Sequence, residues 1–76
     1  MATFESKLTE MLIERGMFEQ QATEVMQRVK TDKASEAMKG RWNDDVSGYP
    51  EQLLHVAWYD VKQHALAWID ENAPQA

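Results

Sequence analysis

From Pro50 to Asn72 the apolar residues keep one helical period, and no glycine or proline interrupts them. Proline is tolerated in the first turn of a helix, where its missing N–H is not needed, so Pro50 can open this run. Pro74 lies just past its end and blocks extension. The spacing predicts a helix over Pro50 to about Asn72, roughly 34 Å long at 1.5 Å per residue. On a helical wheel Leu53, Leu54, Ala57, Trp58, Val61, Ala65, Trp68 and Ile69 fall within an arc of about 160°. An apolar side that long has to be covered, so the rest of the chain is expected to pack against it.

What precedes it has the same period. Thr3 suits an N-cap, and Glu5 sits in the first turn, where the helix dipole favours an anion. Phe4, Leu8, Met11 and Leu12 then form one helical face, and Gly16 is placed to close the helix in a left-handed conformation. A second helix starts near Phe18, with Phe18, Ala22, Val25, Met26 and Val29 on one side. Its Glu19 comes early and its Arg28 and Lys30 late, in keeping with the dipole. The tight Gly16-Met17 connection makes these two helices a hairpin. Asp32 or Ser35 could cap a short further helix through about Arg41, presenting Ala34, Met38 and Trp42 to one side. Gly40 would weaken it by about 1 kcal/mol relative to alanine. Asn43 to Tyr49 is turn chemistry. No alternating period-2 run suggests a sheet. The expected fold is all-α: a small bundle of three to four helices with a long C-terminal helix, in a single domain over 1–76.

Composition narrows the function. The 76 residues include 13 acidic and 8 basic side chains, for a formal charge of −5. Duplex nucleic acid is bound by basic side chains that displace counterions, so it is not an expected direct partner. The charge is uneven: residues 1–40 hold seven acids and six bases, net −1, and residues 41–76 hold six acids and two bases, net −4. There is no cysteine, so neither disulfides nor thiolate-bound zinc can brace the fold. Trp42, Trp58 and Trp68 are expected to anchor much of the core, each buried aromatic covering roughly 150–250 Å². A core this thin also favours self-association, so a homo-oligomer is one expected state. No basic, apolar leader opens the chain, and no run nears the ~20 apolar residues of a membrane span. The expectation is a cytoplasmic protein with no membrane contact.

Catalytic motifs are missing. There is no nucleophile elbow, phosphate-binding glycine loop or dinucleotide fingerprint, so neither enzyme activity nor a cofactor is expected. Asn43 to Gly48 begins like an EF-hand loop, with oxygen-bearing residues at positions 1, 3 and 5 and glycine at 6. The pattern then fails, because position 8 is Pro50 and position 12 is Leu54 rather than glutamate. Asp60 and His64 are spaced i, i+4, but no second cluster completes a metal site. They read best as a hydrogen-bonded pair at the rim of the core, and no metal is expected.

A second stripe on the long helix is more informative. His55, Tyr59, Lys62 and Leu66 recur at i, i+4, i+7 and i+11, outside the core arc. They form the candidate interface for a homodimer or another protein. Asp44 and Asp45 form a candidate acidic loop. The leading expectation is a non-enzymatic protein-interaction module. One alternative is an oligomeric small-ligand sponge, with Arg41 and Trp42 holding a nucleotide by charge and stacking. Others are an acidic nucleic-acid mimic and a purely structural subunit.

Two resemblances bear on this. The hairpin Leu8 to Val29, with Gly16-Met17-Phe18 at its turn and Ala22 and Met26 beyond, resembles the first two helices of a ubiquitin-associated domain. The glycine and methionine are in reversed order, and the family's third helix with its dileucine is not in place. The resemblance implies a hairpin and carries no ubiquitin-binding residues. Gly16-Met17-Phe18, Arg41-Trp42-Asn43-Asp44-Asp45, Gly48-Tyr49-Pro50 and Trp68-Ile69-Asp70 together resemble small uncharacterised proteins of tailed phages and prophages. That resemblance implies binding to a host protein and assigns no functional residue.

Overall fold

The computed structural model describes residues 2–31 and 38–72. Among them are three α-helices, α1 (Phe4–Glu14), α2 (Glu19–Thr31) and α3 (Glu51–Asn72), with a 3-10 turn at Val46–Gly48 before the last. The fold is a small all-α bundle built around a long C-terminal helix.

Local chemistry sets the helix ends. The Thr3 hydroxyl accepts the Ser6 N–H at 3.1 Å, and the Ser6 hydroxyl accepts the Thr3 N–H at 2.9 Å, so a capping box starts α1. At the other end Gly16 adopts φ +102°, donating to the Ile13 carbonyl while Met17 donates to that of Leu12. These two bonds close a Schellman motif, which needs the left-handed residue that glycine supplies. The Gln21 side chain then reaches back to accept the Phe18 N–H at 3.0 Å and starts α2. Phe18 itself is 75 % exposed, so it is not part of the inner face of α2. It occupies the capping position, ahead of the first turn that could direct it inward. Ala22, Val25, Met26 and Val29 are buried as expected.

The connection after α2 departs from the sequence reading. Residues 32–37 lie outside the described residues, and with them Ala34 and both capping candidates, Asp32 and Ser35. Met38 is fully buried, but the chain beyond it is in turns. A helix reaching Arg41 is therefore not present. Gly40 takes φ +74°, a turn conformation that glycine adopts without strain.

The loop after it satisfies the start of α1. The Asp44 carbonyl accepts the Phe4 N–H at 3.1 Å, and the Trp42 carbonyl accepts the Glu5 N–H at 2.9 Å. A free helix start leaves such donors unpaired. The Val46 N–H in turn donates to the Ala2 carbonyl, and Thr3 and Asp45 form an isolated antiparallel bridge.

The core draws Phe4, Leu8 and Leu12 from α1, four residues from α2, Met38 from the connection, and Ala57, Val61 and Ala65 from α3. The buried line of α3 is thus small, which lets the shorter helices approach closely. This is why the tryptophans do not anchor the centre: Trp42, Trp58 and Trp68 are only partly buried, at the rim. Their polar and π faces find partners there. Trp68 Nε1 donates to Glu24 at 3.0 Å, and the Arg15 guanidinium stacks 4.5 Å from the Trp58 ring centre. Ile69, placed by the wheel at the edge of the core arc, is half exposed. Only Ala57, Val61 and Ala65 of α3 are buried, so α1 and α2 cover the middle of the arc and leave its edge open.

Candidate functional site

The stripe His55, Tyr59, Lys62 and Leu66 lies in solvent. Tyr59 is 64 % exposed and Leu66 53 %, and His55 and Lys62 are exposed beside them. With 3.6 residues per turn, Leu66 points about 180° from the buried Ala57. Tyr59 and Leu66 are seven residues apart, so they diverge by only about 20° around the axis. The two therefore share one line on the side of α3 turned away from α1 and α2.

Two apolar residues extend this face beyond the expected four. Val56 and Ile69 are each close to half exposed. Ile69 continues the 4-3-4-3 spacing of His55, Tyr59, Lys62 and Leu66, a heptad-like signal that could have found it. Val56 follows from no spacing rule, and it sits where α3 borders a groove. That groove is open, has a volume of about 380 Å³, and is lined by Arg41, Tyr49, Pro50, Gln52, Leu53 and Val56.

The structure brings Arg41 to this groove and keeps Trp42 away from it. The Arg41 guanidinium lies 5.8 Å from the Tyr49 ring centre. Trp42 is half-buried against the core, and its carbonyl holds the start of α1. Asp44 and Asp45 are also half-buried and engaged. The Tyr49 hydroxyl donates to Asp44, and the Tyr49 ring meets Phe4 edge-on at 5.3 Å. The Asp45 carboxylate accepts both the Ser47 N–H and the Ser47 hydroxyl at 2.9 Å. The acidic pair thus ties the loop together.

Those bonds shift two titrations. The Ser47 N–H, with its hydroxyl, holds Asp45 below the ordinary carboxylate value. The hydrogen bond to Asp44 raises Tyr49 above the ordinary phenol value. A carboxyl group with a depressed folded pKa contributes stability above its unfolded pKa, and this is lost as pH falls through the folded one. Asp45→Ala is therefore expected to lower the urea midpoint at neutral pH and to reduce its fall below about pH 4, where carboxylates ordinarily titrate. A pH series of urea midpoints checks this, and parallel curves for the two proteins would contradict it.

Asp60 and His64 are half-buried on α3, and both have interaction partners. Among the described residues no group of three or more His, Cys, Asp or Glu side chains could hold a metal ion. No helix among them is long and apolar enough to cross a membrane.

Fold and face together define a helical bundle whose longest helix buries one apolar side and holds a second, narrower apolar stripe in solvent. No family model matches the chain, and no curated protein or solved structure does.

Proposed function

We propose that this is a non-enzymatic interaction module that binds a cytoplasmic protein through the outer face of α3. The observation that carries this reading is the pair Tyr59 and Leu66, exposed in line on the side of the helix its own core does not use. Val56 and Ile69 widen that line into a patch. A regular helix offers such a patch a rigid backing, and helical recognition commonly uses anchors at i, i+3 or i+4, and i+7. Within the phage resemblance the partner is a host protein.

A photo-crosslinking side chain introduced in cells at position 59 or 66 is expected to yield a discrete adduct. The same group at Thr23, on the exposed side of α2, is expected to yield none. Equal labelling from all three positions, or none from any, would overturn the reading.

A further inference from the structure

The chemistry of the α3 face restricts what can cover it. Residues 41–76 contain only two basic side chains, Arg41 and Lys62, against six acids. Both bases lie on this surface: Arg41 lines the groove, and Lys62 stands midway between Tyr59 and Leu66. Lys62 is exposed and has no ion-pair partner among the described residues. Glu51 and Asp70 bound the stripe at its two ends. The face is thus cationic at its middle within an otherwise acidic half.

A second copy fits this pattern poorly. Laid antiparallel, with Tyr59 against Leu66 across a two-fold axis, two copies bring their Lys62 ammonium groups together in the middle of an apolar seam. Parallel pairing sets them opposite each other directly. Like charges there repel and must also shed water. A carboxylate facing Lys62 reverses the sign of that interaction.

Resting on the α3-face reading, we propose that the occupant is an amphipathic helix of a partner protein with a carboxylate in its apolar seam. Its apolar seam covers Tyr59, Leu66 and Ile69, a carboxylate at mid-seam meets Lys62, and an apolar anchor enters the groove between Tyr49 and Val56. Val56 lines the groove and lies about 60° around α3 from Tyr59, so groove and stripe adjoin along the helix. From Val56 to Lys62 the rise is about 9 Å and the turn about 120°, so anchor and carboxylate stand nearly two turns apart along the occupant and on opposite edges of its seam.

The test uses the full isotope-labelled chain and two synthetic alanine–leucine helices of about 21 residues, above the length at which isolated helices are marginal. Their leucine seams are identical, and the central seam residue is glutamate in one and lysine in the other. The glutamate helix is expected to bind about ten-fold tighter or more, with amide shifts at Val56, Tyr59, Lys62 and Leu66. Lys62→Glu, at an exposed position that leaves the fold intact, is expected to reverse the preference. Equal affinities, no binding of either helix, or shifts on another face would overturn the proposal. So would sedimentation showing a dimer of the chain itself that Leu66→Glu abolishes, since the occupant is then a second copy. In that case the crosslinking result at positions 59 and 66 still stands, so failure of this inference is distinguishable from failure of the broader reading.

Discussion

Phe4→Ala is expected to lower the melting temperature by on the order of 20 °C, the largest loss of any single truncation in this protein. Phe4 is fully buried, packs edge-on against Tyr49, and begins the helix whose first donors are held by the 42–44 carbonyls. Removing a buried phenylalanine side chain costs about 3–5 kcal/mol, transfer and cavity together. In a domain of 60–100 residues each kcal/mol is worth about 4–8 °C. The backbone bonds to Asp44 and Trp42 survive the change, so the loss reads the ring alone. Phe18→Ala is the control. Its side chain is mostly in solvent, and a surface truncation of this kind changes stability by about 0.5 kcal/mol or less. Calorimetry on the two variants decides the matter, and similar melting temperatures would show that the core is not centred on Phe4.

The second large effect is expected at Met38. It is fully buried although it belongs to the connection between α2 and α3. Met38→Ala is expected to cost about 2–5 kcal/mol, and Met38→Leu, which nearly conserves volume, less than about 1.5. Urea unfolding separates the two: the midpoint falls sharply for alanine and little for leucine, with the slope unchanged. A cost for alanine within the range of a surface change would mean that the connection does not close the core.

Much of this architecture was legible from the chain. The Thr3 cap, the Gly16 stop and the long rod from Pro50 depend on contacts within a few residues. Such signals are present in the sequence itself. The inner faces of α1 and α2 were also legible, apart from Phe18, because a 3.6-residue period leaves only one way to bury Leu8 with Leu12, or Val25 with Met26 and Val29. The exposure of Tyr59 and Leu66 followed from the same arithmetic on α3.

The departures on α3 have a common cause. The wheel marks which residues of α3 can face a neighbour, and it has no knowledge of how wide the neighbours are. With α1 and α2 covering only part of the arc, Ile69 was left in solvent and the tryptophans at the rim. In the sequence Gly40 reads as a weak point in a helix, because nothing local distinguishes that role from a left-handed turn. Asp44 and Asp45 mark an acidic loop in the sequence, and only the fold shows that their carboxylates accept from Tyr49 and Ser47.

The sequence by itself determined the α1 and α3 boundaries, nearly all of the inward-facing residues and the line of Tyr59 and Leu66, since helix caps and helical period act over one or two turns. Tertiary structure alone decided that the 42–46 loop would seat the start of α1, that Met38 would seal the core, and that Val56 would join a groove to the α3 stripe. Each of those joins groups far apart along the chain, and no local pattern encodes which distant carbonyl or cavity will be there to meet them.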